Sequence, residues 1–259
     1  VAKHNKWSKV KHRKAAVEKK RGKIWTKIAK AIIVAAKNGG PDPAANLTLR
    51  YAMDEGRYAN MPRETIERAI KKGAGGESTE NFETLRYEGY APGGVAVIVD
   101  ALTDNRTRTI TDVRLAFSDY DGNVGATGCV SYLFQHKGEI ALHAGAKAVD
   151  PEKLMEIALE AGADDIKEPE GLTPGIEIDE DDPPLWTVLT DPTRFQPVKE
   201  ALEKAGFKIE QAEIGMIPQD RVAVAGDAAT QVMELIERLE DLDDVQKVYT
   251  NAEMEAGSE

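Results

Sequence analysis

The hydrophobic spacing of this chain changes character at one place, the Gly/Ser-rich stretch GAGGESTEN (73–81). Helix-period and strand-period patterns bury different faces and cannot substitute for one another, so this change divides the chain into two kinds of structure. Before it, Val17, Ile24, Ile28, Ala31, Ile32 and Ala35 form a stripe with a period near 3.6. Asn38-Gly39-Gly40-Pro41 ends that helix, because glycine accepts the left-handed cap and proline cannot continue the ladder. Asp42-Pro43 supplies a carboxylate cap and a first-turn proline for a second helix, with Leu47, Tyr51 and Tyr58 facing inward. Met61-Pro62 opens a third, with Glu64 and Glu67 in its first turns, Lys71-Lys72 in its last and Gly73 beyond, which suits the helix dipole. The short connections imply antiparallel neighbours, a small three-helix domain over residues 1–76.

Beyond residue 81 the pattern becomes that of strands and helices. LRYEGY and VAVIVDAL read as strands joined across APGG, RTITDVRLAFSDY as an amphipathic helix and GCVSYLFQ as a strand. GEIALHA, PEKLMEIALEAGA, DIKEPE, LWTVLTD, TRFQPVKEALEKAG and KIEQAEIGMI then give strand, helix, strand, strand, helix, strand, the βαββαβ order of a ferredoxin-like unit. The acidic loop EIDEDDPP (177–184) separates its halves. The tail, RVAVAG, DAATQVMELIERLEDL and VQKVYTN, is too short to stand alone and is expected to complete the first sheet. The expected fold is α+β and multidomain: helices over 1–76, a discontinuous α+β domain over 77–136 plus 218–259, and a ferredoxin-like domain inserted over 137–217.

Charge is divided along the same line. The chain is acidic overall, with 34 Lys+Arg against 45 Asp+Glu and a net charge of −11. Residues 1–76 nevertheless hold 19 basic and 6 acidic residues, a net of +13, which leaves 15 basic and 39 acidic residues, a net of −24, for the rest. Residues 1–30 alone carry twelve bases and one acid, Glu18. Solvated helix faces usually mix both signs, so this imbalance points to a polyanion as the partner of the first segment. No apolar run approaches a membrane span and no apolar signal core precedes the basic run. A single cysteine, Cys129, fits a reducing cytoplasm.

In HNKWSKVKHRKAAVEKKRGK the cations Lys6, Lys9, Lys11, Arg13, Lys14, Lys19, Lys20, Arg21 and Lys23, with Lys3 just before them, alternate with His4, Trp7 and His12. Lysine and arginine neutralise phosphates, and rings stack on bases or pack against sugars. Trp7 serves equally well as an anchor of the arm, whereas Trp25 lies beside Ile24 and Ile28 and reads as core. No helix-turn-helix, zinc-finger or RRM signature accompanies the patch, so backbone affinity is implied and base selectivity is not.

TDNRTRT (103–109) sits where a strand hands over to a helix. Asn105, Arg106 and Arg108 there are candidates for a secondary anion site, against the plainer alternative of a Thr107 or Thr109 cap with solvated arginines. GNVGATG (122–128) lacks the Lys-Ser/Thr of a phosphate-binding loop and reads as a turn. Cys129 has no local base, and His136 and His143 have no partners at metal-ligand spacing. No catalytic constellation, cofactor or metal site is implied.

KWSKVKHRKAAVEKKRGKIWTK, ANMPRETIERAIKKG, YEGYAPGGVAVIVDALTDNRTRT, GNVGATGCVSYLF and LEDLDDVQKVYTN together resemble the blocks of the YebC/PmpR family, over about residues 4 to 253. The resemblance implies three domains, one inserted in another, and a cytoplasmic nucleic-acid-binding regulator of gene expression. The family includes bacterial transcriptional regulators and a mitochondrial activator of cytochrome oxidase subunit translation. By resemblance, the binding residues are Lys6, Trp7, Lys9, Lys11, His12, Arg13, Lys14, Lys20, Arg21 and Lys23, with Asn105 and Arg106 in a second block. Lys3-His4-Asn5 stands where the family opens with Gly-His-Ser, and Thr127-Gly128-Cys129 where it has Glu-Gly-Ser. The expectation is a DNA-binding transcriptional regulator whose acidic domains meet a protein partner. The alternative is a translation factor on ribosomal RNA or tRNA.

Overall fold

The computed structural model describes residues 17–75, 81–143, 149–169 and 185–254, with only the backbone at 17–21 and at His143. The fold is α+β, and the chain separates into a compact unit containing 136–217 and another containing 13–135 and 218–259. The helical segment and the discontinuous α+β segment therefore belong to one unit.

Three helices open it: α1 (Val17–Gly39), α2 (Leu47–Tyr58) and α3 (Arg63–Ala74). Their core is Ile28, Ile32, Ala35, Ala36, Leu49, Ala52, Met61, Ile66 and Ala69. Trp25 packs against it and donates its indole N–H to the Ala59 carbonyl at 3.0 Å. Ile24 and Leu47, expected to point inward, are 46% and 51% exposed. The second helix starts later than its Asp42-Pro43 signal, because Asp42 caps only a turn, accepting from the Ala44 N–H at 2.9 Å. Asn46 is the true cap, accepting from the Leu49 N–H at 3.1 Å. Its amide donates to Ala35 and Gly40 carbonyls, both at 2.9 Å, so one buried side chain closes α1 and opens α2. The displaced register buries Leu49 and Ala52 in place of Leu47. Gly73 lies within α3, not beyond it; a Cβ there would stand 2.3 Å from the Ile33 carbonyl oxygen, so glycine lets α3 lie against α1.

The α+β segment of this unit has a sheet of order β3-β1-β2-β9, with β1 (Glu83–Ala91), β2 (Val95–Thr103), β3 (Asn123–Val124) and β9 (Val245–Thr250). The β1–β2 hairpin pairs Glu83 with Thr103 through Ala91 with Val95. Its turn uses Gly93 and Gly94 at φ 73° and 76°. The tail adds β9 antiparallel to β2, which completes the first sheet. Helices α4 (Arg106–Asp119) and α7 (Gly226–Glu240) pack together, and β8 (Val222–Val224) pairs in parallel with β10 (Ala252–Met254), a short strand the sequence pattern does not announce. GCVSYLFQ is not one strand: Ser131–Leu133 is a 3-10 turn, and β4 (Phe134–His143) begins only at Phe134.

The other unit has β5 (Ala163–Lys167), β6 (Leu185–Thr190), β7 (Ile209–Pro218), α5 (Pro151–Ala161) and α6 (Phe195–Lys204). Its sheet order is β5-β6-β4-β7, with β6 antiparallel to both neighbours. This is the ferredoxin-like split arrangement that βαββαβ implies. EIDEDDPP lies outside the described residues. Among the described residues, no helix is long and apolar enough to cross a membrane.

Candidate nucleic-acid interface

The cations of the helical segment divide along α1. Lys23, Lys27 and Lys30 are spaced i, i+4 and i+7 and share a face. That face meets the C-terminal end of α7 and the acidic turn after it. The Lys23 ammonium lies 3.3 Å from the Asp241 carbonyl and 3.5 Å from its carboxylate. Lys27 donates to the Glu240 carbonyl. Lys30 reaches the Asp243 carbonyl at 3.3 Å and the Asp244 carboxylate at 3.2 Å, and sits over the Phe82 ring. Lys27 and Lys23 thus meet carbonyls left unpaired where α7 ends, Lys30 meets the turn beyond, and all three complement the helix dipole. Burial pulls the Lys27 ammonium below its ordinary range, against the raising pull of Glu240, Asp243 and Asp241.

Asp244 is the junction. Its side chain is 10% exposed and accepts from Arg108 at 2.6 Å, Thr109 at 2.9 Å, Thr103 at 3.2 Å and Lys30. Burial pushes its carboxyl up, but the hydrogen bonds from Arg108, Thr109 and Lys30 outweigh that and hold it below the usual carboxylate range. The residues proposed from sequence as a secondary anion site are placed by this junction. Asn105 is the cap of α4, accepting from the Arg108 N–H at 3.0 Å. The cap is therefore neither Thr107 nor Thr109. Arg108 also meets Asp104 at 2.8 Å, so two carboxylates already match its charge, and hydrogen bonds to both raise its pKa further. Arg106 is 70% exposed and only 3.7 Å from Glu83 at closest. The three side chains do not converge on one open anion pocket: one caps, one pairs internally and one faces solvent.

Of the arm candidates, Lys3, His4, Lys6, Trp7, Lys9, Lys11, His12, Arg13 and Lys14 lie outside the described residues. Lys19, Lys20 and Arg21 fall on the first turns of α1, where the backbone alone is described. Lys23 is the candidate whose side chain is described, and it is turned to Asp241. Further cations expected from no motif are exposed on α3, at Arg63, Arg68, Lys71 and Lys72.

Sequence reasoning also passes over Glu88. On β1 it is 3% exposed, and it accepts from three backbone N–H groups: Gly128 at 2.9 Å, Val130 at 2.9 Å and Ser131 at 2.8 Å. Burial pushes this carboxyl up, and the three N–H bonds pull it below the ordinary range. The Gly125 N–H adds a bond to the Glu88 carbonyl at 2.8 Å. The loop so held, 125–133, carries Tyr132, 67% exposed and the most exposed large apolar side chain among the described residues. A signal was present: from Gly122 to His136 the chain has no Asp, Glu, Lys or Arg, its longest such run in a sequence that is 31% charged. Among the described residues, no group of three His, Cys, Asp or Glu side chains could hold a metal ion.

The TACO1/YebC protein N-terminal domain matches residues 5–76, and the TACO1/YebC second and third domain matches residues 82–252. A "Probable transcriptional regulatory protein" of Geobacter sulfurreducens is 52% identical over 248 residues, covering 96% of this chain and 94% of that one. One of the same description from Thiobacillus denitrificans is 50% identical over 253 residues, covering 97% and 98%. The crystal structure of a conserved hypothetical protein from Aquifex aeolicus superposes with a TM-score of 0.80 at 46% identity, over 97% of this chain and 98% of that one.

Proposed function

The chain belongs to the TACO1/YebC family, and on that footing we propose that it is a DNA-binding regulator of transcription that holds its target through the basic N-terminal arm and the start of α1. The observation that carries this reading is the partition of charge, +13 over residues 1–76 against −24 over the rest. A duplex presents a dense row of phosphates, and cations that neutralise them release counterions. The relatives' description as regulators supports the same role. The lysines docked on α7 are the later ones of α1, so the reading assigns the polyanion to Lys3, Lys6, Lys9, Lys11, Arg13, Lys14, Lys19, Lys20 and Arg21, helped by Lys71 and Lys72 of α3. His4, Trp7 and His12 would rest against sugar or base. The acidic body then repels nucleic acid wherever its carboxylates are exposed and leaves that surface to a protein partner. The activity is binding, with no catalytic step and no cofactor.

The test is a shift assay with a mixed-sequence DNA duplex, beside sedimentation with ribosomes, in wild type and a Lys9, Lys11, Arg13 and Lys14 to Ala variant. Duplex binding that the variant loses supports the proposal. Co-sedimentation with ribosomes and no duplex binding would overturn it in favour of a translation factor on ribosomal RNA or tRNA.

A further inference from the structure

The loop held by Glu88 carries a cost that burial alone does not explain. A buried carboxylate is expensive unless hydrogen-bonded, and here its partners are backbone N–H groups of one short exposed segment. Further bonds fix the same segment. The Tyr90 hydroxyl donates to the Cys129 carbonyl at 3.0 Å. Gln219 donates from its side chain to the Tyr132 carbonyl at 3.0 Å and from its backbone to the Leu133 carbonyl at 2.9 Å. Gly128, at φ 87°, makes the left-handed turn that points its own N–H at Glu88. The outcome is a tyrosine whose backbone is fixed on both sides and which is nevertheless two-thirds exposed.

An exposed tyrosine alone is ordinary. One whose backbone is already ordered is suited to binding, because only side-chain freedom remains to be lost. The surroundings narrow the ligand. From Gly122 to His136 there is no charged side chain, so the loop offers a phosphate no cation. It offers instead an aromatic ring and the exposed, uncharged residues Asn123, Gly125, Ala126, Thr127 and Gly128. A π-face beside uncharged donors and acceptors is what an unpaired nucleobase requires, the ring for stacking and the polar groups for its edge. The loop also lies in the same compact unit as α1, α2 and α3.

We propose that Tyr132 and the Glu88-held loop form a second contact to nucleic acid, stacking one unpaired base. This rests on the nucleic-acid-binding reading above and divides the work: the arm meets phosphates, the loop meets a base. Because the loop brings no charge, it changes affinity without changing salt dependence.

The test uses the full chain with fluorescein-labelled oligonucleotides of one sequence, about 16 nucleotides long, as single-stranded RNA, single-stranded DNA and blunt DNA duplex. Single-stranded versions with an internal 2-aminopurine report stacking by quenching. Tyr132→Ala is expected to weaken single-strand binding by about 5- to 100-fold and abolish the quenching, with duplex binding changed less than about twofold. Its plot of log K against log salt should run parallel to that of wild type. Tyr132→Phe and Tyr132→Trp, which keep a ring, should bind and quench, and thermal melting checks that every variant is folded. Equal losses on RNA and DNA mean that any unpaired base serves; loss on RNA alone assigns the site to RNA. Single-strand binding unchanged in a folded Tyr132→Ala protein overturns the proposal and leaves the loop to a protein partner, while duplex binding through the arm would still stand. A loss equal on duplex and single strand overturns it too. Failure of wild type to bind any probe removes the nucleic-acid reading itself, and this proposal with it.

Discussion

Asp244 and Glu88 are both buried carboxylates of the same compact unit, and both are held below the usual carboxylate range despite burial. They reach that state by opposite means. Asp244 is matched by the side chains of Arg108, Lys30, Thr109 and Thr103, which come from the helical segment, the end of β2 and the start of α4. Glu88 is matched by the backbone N–H groups of a single loop. The first carboxylate ties separate segments together with charge. The second gives one loop its shape with no counter-charge at all. A buried charge can therefore assemble a domain or aim a surface, and its partners tell which.

The largest effect expected on this contrast is from Asp244→Ala, which takes from Lys30 its carboxylate partner and leaves Arg108 with Asp104 alone. Removing one member of a buried pair costs about 3–5 kcal/mol, to be read by denaturant unfolding of the full chain. An unchanged unfolding midpoint would show that the junction holds nothing together. Glu88→Gln keeps the shape but sets an amide donor against N–H donors, so about 1–3 kcal/mol is expected. Its distinguishing mark is faster hydrogen exchange confined to 125–133, whereas Asp244→Ala should loosen α1 and the 241–244 turn.

Acid should affect both sites. Each folded pKa is depressed, so the stabilisation is full above the unfolded value of about 4 and is lost as pH falls through the lower folded value. Melting followed from pH 5 downward should show the loss, and Asp244→Ala and Glu88→Gln should each flatten it. Salt should separate the two sites by a smaller margin. The Lys23–Asp241 pair is about half exposed at both ends, so Lys23→Ala is expected to cost no more than about 0.5 kcal/mol at low salt and nothing at high salt. The N–H bonds to Glu88 should show no comparable dependence.

Much of the architecture was legible because it follows from periodicity. The helix-period stripe of α1, the two strands around Gly93-Gly94 and the βαββαβ order each announce themselves locally. The misplacements have local causes as well. Asp42-Pro43 has the chemistry of a helix start, but Asn46 bonds both helices and wins. Ile24 continues the stripe of α1 one turn past the point where α2 and α3 cover it. Ser131–Leu133 looks like strand within its apolar surroundings, yet Glu88, forty-odd residues away, takes the N–H of Ser131 together with those of Gly128 and Val130 and draws the chain into a turn. The site was legible only as charge. Lys23 belongs to the basic run by composition, and only tertiary structure shows it spent on Asp241. Tyr132 and Glu88 lie in two of the blocks that carry the family resemblance, but no motif joins them, because their relationship is between a strand and a distant loop.

The claim on which the rest depends is that the N-terminal cations meet phosphates, and the salt dependence of duplex binding measures it most directly. If about five of them do so, log K should fall against log salt with a slope of roughly −4 to −5, flattening towards zero when Lys9, Lys11, Arg13 and Lys14 become alanine. A slope near zero in wild type, or an equally steep one in the quadruple variant, would contradict it.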